Sequence, residues 1–586
     1  MHSTNNQPVW ILCTKQEARY FKKISISVPR KKFLVIAFDR IVSAQLTQDG
    51  IHHLCADTIL TEHIRREILT SSNQQLVRSY NVLTQQLEQE HTPQLLGDFF
   101  DAVKYQKFSE FATILYYYTS IQILVATLRP KQVAFFTPLS LVTILLKDIC
   151  AQSSIDTYAA SLPVVHQLKT VCDTKLPFLT KQRGVRDRIY TYAKNMFSSA
   201  PIKHTGTRVL LTPCDNQKTF TNVIQGLHSF KIEPAMLYEP LHPSLHWNSR
   251  EAIERYPHLC TYTMRGTPPS SQQKSLRLHE SPEMFNSWIE TLFSVLPKKT
   301  LPSIIQHTRH FGLWNWYHYF IDIRNKFEHE MARIQPSIFF GDNFYDMVTR
   351  TGIACAHRHM IKSYAVTKLH EELFSSPYPP QNILDKYIPY AVGVHTQTAA
   401  QKVSMHTLVT NTLQAPITTL LEHLTNIDKY KVSHHKNNGI TILFTSQQHL
   451  YTFDYIRIVA QAIKTLSTRY PTTQVTMLVR PHPVEYTFWY TYTLRRYKRL
   501  GIKVDKSKSL GEVLAHADVI ITSHSFTAFE ALEQQKKVIL LSFSRLAVEP
   551  DILLYRPTEF FHPLCTEVHT PEELVNTLRS LIQKQQ

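Results

Sequence analysis

The residue types best suited to chemistry fall between Val475 and Glu530. An apolar run, Val475 to Val479, breaks at Arg480-Pro481-His482-Pro483. A second run, Asp518 to Ile521, breaks at Thr522-Ser523-His524-Ser525. Both runs read as strands, and the second leads into a helical pattern from Phe526 to Gln534. A helix start presents unpaired N–H groups and partial positive charge, so a phosphate is stabilised there. Ser523 and Ser525 add hydroxyl donors. Neighbouring strands of a parallel sheet end on the same side, so Arg480 and His482 can converge on the same anion as a guanidinium and an imidazolium. His482 can also protonate a departing phosphate. A purely local reading competes for the serine turn: Thr527 and Glu530 make a T-x-x-E capping box that needs no ligand.

Composition narrows the chemistry further. A chain of 586 residues, 43% hydrophobic and 19% charged, reads as a globular protein of several domains. Its net charge of +18 and sequence pI near 9.3 call for an anionic partner: nucleic acid, an anionic membrane face or phosphorylated small molecules. Only 13 residues are glycine, and neither GxGxxG nor GxxxxGK[ST] occurs, so a phosphate site must be built from helix ends and side chains. Eight cysteines without a CxxC pair read as reduced thiols in a cytoplasmic protein. The N-terminus shows no basic-then-apolar leader pattern. The uncharged run Phe111 to Leu128 contains Tyr116, Tyr117, Tyr118, Ser120 and Gln122, which favours a buried helix over a membrane span. No metal site is expected. His357-Arg358-His359 and His434-His435 lack a carboxylate at ligand spacing, and in His329-Glu330-Met331-Ala332-Arg333 an arginine stands where a zincin has its second histidine.

Three blocks must position these groups. Residues 1–200 read as an α/β region, with strands at Lys32–Phe38 and Gln132–Phe136 around long helical stretches. Residues 201–430 read as a central Rossmann-like domain on the acceptor side, with strands at Arg208–Leu211, Ala235–Tyr238, Ser337–Phe340, Tyr364–Val366 and Tyr390–Gly393. Residues 431–586 read as a C-terminal Rossmann-like domain that opens with Ile440–Phe444 and contains both chemical turns. Tyr490 to Arg499 is a basic aromatic helix, either a solvated face or a contact for anionic lipid.

The order Arg480-Pro481-His482-Pro483, Leu514 to Ser525, Phe529-Glu530-Ala531-Leu532 and Lys537 to Leu540 resembles the carboxyl domain of certain GT-B glycosyltransferases of bacterial surface-polysaccharide synthesis. These are HP-motif sialyltransferases, Kdo transferases and CDP-glycerol glycerophosphotransferases. The resemblance covers residues 440–580. It implies an α/β, GT-B-like fold of two Rossmann-type parallel-sheet domains facing a cleft, here with an extra N-terminal α/β region. It further implies that Arg480, His482, Thr522, Ser523 and Ser525 hold donor phosphates, that Glu530 lies near the nucleotide ribose, and that His482 takes part in catalysis. Asp342, after a central-domain strand, is the candidate base by position; Asp215 is a weaker one. The central domain carries His370-Glu371 where many members have His-Gly, a departure that bears on any role for His370.

The expected activity is therefore metal-independent transfer from a nucleotide-activated donor (CMP/CDP- or UDP-sugar type), with no resident cofactor. The partners expected are that donor, a glycan or lipid-linked acceptor, and peripheral contact with an anionic membrane at the cytoplasmic face. No nucleic-acid partner is expected, because the basic residues form no concentrated patch and no RNP-like strand occurs. The alternatives are a UDP-sugar 2-epimerase-like reaction on the same fold and a catalytically inactive GT-B-like scaffold.

Overall fold

Three parallel sheets carry the chain, each with helices between its strands. The structure, a computed structural model, describes residues 8–27, 33–38, 40–89, 94–137, 141–167, 208–212, 233–238, 260–263, 282–310, 313–341, 343–367, 374–375, 387–393, 408–410, 439–446, 452–471, 474–482, 485, 487–505, 510–523, 525, 527–543, 556–557 and 564–585. The first sheet contains β1 (Val9–Leu12), β2 (Leu34–Ala37), β3 (Leu54–Cys55), β4 (Gln132–Thr137) and β5 (Asp156–Ser161), in the order β3-β2-β1-β4-β5. Helices α1 (Lys15–Ser27), α2 (Arg40–Gln48), α3 (Glu62–Gln89), α4 (Gln94–Leu128) and α5 (Leu141–Gln152) accompany it.

The second sheet runs β13-β12-β10-β9-β6-β7-β8. Its strands are β6 (Arg208–Leu211), β7 (Glu233–Tyr238), β8 (Cys260–Thr263), β9 (Ile338–Gly341) and β10 (Lys362–Val366), then β12 (Ala391–Gly393) and β13 (Leu408–Thr410); β11 (Phe374–Ser375) stands outside it. Its described helices are α6 (Pro282–Leu292), α7 (Leu301–His310), α8 (Leu313–Ile334) and α9 (Met347–Arg358).

The third sheet runs β16-β15-β14-β17-β18-β20. It is built from β14 (Gly439–Thr445), α10 (Thr452–Arg469), β15 (Gln474–Arg480), α11 (Thr487–Leu494), a 3-10 segment (Arg495–Leu500), β16 (Ile502–Val504), α12 (Leu510–His516), β17 (Val519–Thr522), α13 (Thr527–Glu533), β18 (Lys537–Leu541), β20 (Cys565–Val568) and α14 (Pro571–Gln585). Between β18 and β20, β19 (Arg556–Pro557) pairs antiparallel with β11.

All strand pairs within the three sheets are parallel, and all three sheets share one winding logic. The chain enters at a middle strand, builds outward on one side, then crosses over to build the other. The reversal falls between β1 and β4, between β6 and β9, and between β14 and β17. In such doubly wound sheets the crevice at the carboxyl ends of the reversal strands is where ligands bind. The fold is thus α/β and Rossmann-like, as the sequence implies, and the N-terminal region is itself a third doubly wound unit.

Burial explains why the strands form. β17 is buried at all four positions, as expected for a strand covered by helices on both faces. In β14 the side chains alternate: Ile440, Ile442 and Phe444 join one apolar cluster, and Leu443 joins the other. The first two sheets share a single core with α3, α4 and α6 to α9. Within it Phe99 and Phe100 of α4 meet Trp288 of α6, with ring centroids 6.4 and 4.0 Å apart. The second half of α4 is the run Phe111–Leu128, apolar and long enough for a membrane span by composition (mean hydropathy 1.4). Here Phe111, Tyr116, Tyr117, Ile121 and Leu124 are buried in that core. α4 also carries buried acids, and each is paired, as a buried charge must be. Asp101 accepts from Lys104 at 2.7 Å and pairs with Arg350 of α9, and Asp98 pairs with Arg358 at 2.6 Å. Close approach of α9 to β9 requires two glycines. A Cβ on Gly341 would stand 2.1 Å from Thr349 Cγ2, and one on Gly352 would stand 2.1 Å from the Phe339 ring.

Candidate functional site

The carboxyl edge of the third sheet is level across its three middle strands. Thr445 of β14 is in register with Arg480 of β15, and Phe444 with Ile521 of β17. Ser446 N–H donates to the Arg480 carbonyl at 3.0 Å, which keeps the two strand ends together for one residue more. Thr445, Arg480 and Thr522 therefore end three adjoining strands on one side of this sheet, with Ser446, His482, Ser523 and Ser525 in the residues that follow.

His482 is held by a residue that sequence reasoning missed. The backbone N–H of His482 donates to Ser446 Oγ and to Glu485 Oε2, both at 2.8 Å. The Glu485 N–H donates back to the His482 carbonyl at 2.9 Å. The same Glu485 Oε2 accepts from Ser446 Oγ at 2.6 Å and from the Tyr490 hydroxyl at 2.7 Å. One carboxylate oxygen thus takes three donors, while Oε1 is buried with no hydrogen-bond partner. Burial raises the Glu485 carboxyl above its ordinary value, against the pull of its hydrogen bonds from Ser446, Tyr490 and His482. Burial likewise pushes the Tyr490 hydroxyl up, so it stays a donor. The His482 ring is held below its ordinary value by burial, and its Nδ1 is buried without a partner. Thr445 Oγ1 is a third buried, unpartnered polar atom on this edge. The signal in the sequence was a glutamate three residues after the histidine and a tyrosine five further on.

Several expected roles change once the side chains are in place. Arg480 is ion-paired with Asp505, just past β16, so its charge is partly spent inside the protein. His482 is held towards the neutral form, so the expected imidazolium is not a standing charge. Thr522 is fully buried, and its hydroxyl donates to the Thr445 carbonyl at 3.3 Å, which removes it from the set that can reach a ligand. The capping box expected at Thr527 and Glu530 is displaced by two residues: Thr527 N–H donates to Ser525 Oγ at 3.2 Å, and Ala528 N–H to the Ser525 carbonyl at 2.9 Å. Ser525 is the cap, and α13 has seven residues, so the helix end contributes less dipole than the expected Phe526–Gln534 span. Ser523 is buried beside it, and Glu530 is half-buried on the first turn. Asp342, Asp215, His370 and Glu371 lie outside the described residues, as do His434 and His435.

The other sheet edges are closed by acids. After β1, Glu17 Oε2 accepts from Cys13 N–H at 2.6 Å and Thr14 N–H at 3.1 Å, and Thr14 Oγ1 accepts from Glu17 N–H at 3.2 Å. That is a capping box in which the protein's own carboxylate occupies the anion position. After β9, Asp346 caps α9 by accepting from Val348 and Thr349 N–H at 3.0 and 3.4 Å. The first and third sheets touch near these edges. Lys15 at the start of α1 pairs at 3.2 Å with Asp454 at the start of α10. Burial acts to raise the Asp454 carboxyl, but Lys15 and Arg457 outweigh it and hold it low.

The His357-Arg358-His359 segment, without a carboxylate at ligand spacing in sequence, meets one from another helix. Glu328 of α8 accepts from His359 Nε2 at 2.7 Å and from Arg358, in a network continuous with Asp98. Its arginine partners make it an ion-pair bolt between helices. Glu330 pairs with Arg333 in the same helix. Among the described residues no group of three or more His, Cys, Asp or Glu side chains is placed to hold a metal.

No family model matches the sequence, and no curated protein matches it. Solved structures similar in shape include MurG of Acinetobacter baumannii, at 10% identity and a TM-score of 0.35, covering 65% of this chain and 91% of that one. UDP-GlcNAc 2-epimerase from Neisseria meningitidis bound to UDP-GlcNAc is similar at 10% identity and 0.38, covering 64% and 91%. Glycosyltransferase VinC in complex with dTDP is similar at 12% identity and 0.34, covering 64% and 91%. At such values nothing about this chain's substrate or reaction follows from the likeness.

Proposed function

We propose that this chain is a GT-B-like glycosyltransferase that binds a nucleotide-activated sugar, of CMP/CDP or UDP type, at the carboxyl edge of its third sheet. Its product would be a lengthened surface polysaccharide or lipopolysaccharide, made at the cytoplasmic face of the membrane. The observation that carries the proposal is His482. It stands just past β15, the strand beside reversal strand β14; its backbone is locked by Ser446 and Glu485, and its Nδ1 is buried with no partner. A buried polar atom without a partner costs about 1–3 kcal/mol, which a hydrogen bond to a ligand at that position would recover.

In this reading His482 donates to the donor phosphate from one side, and the Ser523 and Ser525 hydroxyls donate from the next strand. As the bond between sugar and phosphate breaks, these donors stabilise the charge that collects on the leaving phosphate. Arg480 adds charge by sharing its guanidinium between Asp505 and the phosphate. A buried carboxylate so close would repel the phosphate, so Glu485 serves best when protonated. The base that deprotonates the acceptor hydroxyl comes from the central sheet, with Asp342 as the candidate. No resident cofactor is required; the nucleotide-sugar is substrate, and the acceptor is a glycan or a lipid-linked glycan.

A thermal-shift panel of CMP, CDP, UDP and GDP tests the donor site. At least one nucleotide is expected to stabilise the protein, and His482→Ala is expected to remove that shift. If none of the four stabilises it, the donor-site reading fails. A shift that survives His482→Ala would leave the site standing and remove His482 from it.

A further inference from the structure

The outer surface of α11 and the 3-10 segment after it combines two features that seldom coincide. Phe488 and Tyr492, one helical turn apart, are 66% and 69% exposed. Arg495, Arg496, Lys498 and Arg499 are exposed beyond them, and Lys503 is exposed on the neighbouring edge strand β16. Tyr490 and Leu494 are buried on the opposite side, so the two sets divide cleanly between core and surface. From Tyr486 to Val504 the sequence has these five cations and no acidic residue. Asp505, the next acid along, is turned inward to Arg480.

A solvated helix face has no need of two largely exposed aromatic rings beside unpaired-sign charge. Exposed aromatics next to clustered cations are what an anionic bilayer surface selects, because the rings enter the headgroup region while Lys and Arg meet lipid phosphates. The surface is a convex helix at the edge of a sheet, whereas a nucleic-acid strand is usually tracked by a groove. We propose that the face formed by Phe488, Tyr492, Arg495, Arg496, Lys498 and Arg499 docks the protein on an anionic phospholipid membrane.

The face runs along the β16 flank of the third sheet. α11 starts two residues after Glu485, at the carboxyl edge of the third sheet. The helix then runs back along the sheet, so the cations of the 3-10 segment lie towards the start of β15, where Met477 N–H donates to the Gly501 carbonyl at 3.3 Å. The docking inference rests on the exposed face alone and stands independently of the donor reading.

Co-sedimentation of the full-length protein with vesicles tests it. The protein is expected to bind vesicles containing phosphatidylglycerol at least tenfold better than pure phosphatidylcholine vesicles, with the preference fading at high salt. Replacing Arg495, Arg496, Lys498 and Arg499 together by Gln should lose at least tenfold, since each cation near an anionic surface contributes about fivefold. Phe488→Ser with Tyr492→Ser should lose severalfold and leave what remains fully salt-sensitive. Both variants should keep the wild-type denaturation midpoint and nucleotide shift, because all six side chains point outward. Absence of a preference for anionic vesicles, or variants that bind as well as wild type, would overturn the proposal. So would binding of single-stranded RNA through these residues without vesicle binding, which would make the face a nucleic-acid surface.

Discussion

The first and third sheets have the same winding, the same reversal after an opening strand, and opposite chemistry at their carboxyl edges. Beyond β1 the backbone N–H groups of Cys13 and Thr14 are already bound by Glu17. Beyond β15 the carboxyl of Glu485 is folded back under the turn, where it binds the His482 N–H, Ser446 and Tyr490, and the ring of His482 is left with a buried open nitrogen. In the first sheet an acid closes the edge. In the third an acid braces the edge and leaves a neutral, donor-bearing side chain at the opening. Topology provides the crevice in both cases, and in the proposed reading the placement of one carboxylate decides whether an anion can enter.

The largest effect is expected where that brace is removed. Glu485→Ala leaves the Ser446 and Tyr490 hydroxyls without an acceptor and the His482 N–H with Ser446 Oγ alone. At about 1 kcal/mol or more for each unmade buried hydrogen bond, roughly 2 kcal/mol or more of stability should go, read as a lower denaturation midpoint. The nucleotide shift should go with it. Glu485→Gln keeps an acceptor oxygen and should recover most of both. Should Glu485→Ala prove as stable as wild type, the brace has been misassigned. The matching change in the first sheet, Glu17→Ala, should cost about 1–2 kcal/mol as a lost cap and leave the nucleotide shift intact. Loss of that shift in Glu17→Ala would mean that the two edges do not differ as described.

Much of this contrast was legible before the structure and some of it was not. The strands of the third sheet announce themselves because a strand buried on both faces is a continuous apolar run, as in Ile440 to Phe444 and Lys537 to Leu541. β5 gives no such signal: it is an edge strand, Asp156 to Ser161, exposed along nearly its whole length. β13 has three residues and is too short for any pattern. Strand ends were therefore placed within one residue, at Val479 and Ile521 where the strands run on to Arg480 and Thr522, but the direction of the side chains there was not readable. Arg480 finds Asp505 across 25 residues of chain, and Thr522 turns its hydroxyl to a neighbouring strand. Glu485 escaped notice because it belongs to a turn, where periodicity carries no information.

The pH dependence separates the two acids at their edges. Burial raises the folded Glu485 carboxyl above the ordinary 4.5. The folded state thus holds this proton more tightly than the unfolded chain does. The resulting stability is complete below pH 4.5 and is lost as pH rises through the folded value. Nucleotide affinity should follow the same direction, since the ionised form repels phosphate, so binding weakens as pH rises through that window. His482, depressed below 6.5, adds to the trend at its acid end, because anion binding favours its charged form. Titration of the nucleotide shift from pH 5 to 8 should show the decline in wild type, and Glu485→Gln should flatten its upper part. A profile unchanged by Glu485→Gln would take Glu485 out of the binding equilibrium.

The smallest expected change is the most discriminating. Ser525 caps α13 by accepting the Thr527 N–H, and its hydroxyl also donates to Thr527 Oγ1 at 3.1 Å. Capping and ligand binding are thus two readings of one oxygen, and Ser525→Ala would disturb both. Glycine tolerates a cap position almost as well as serine, at a cost of a few tenths of a kcal/mol, yet it has no hydroxyl to offer. Ser525→Gly should therefore leave the denaturation midpoint nearly unchanged while reducing the nucleotide shift. An unchanged shift would make Ser525 a cap and nothing more, the counterpart in the third sheet of Thr14 in the first. The anion would then depend on His482 and Ser523, and the two edges would differ only in where each has put its acid.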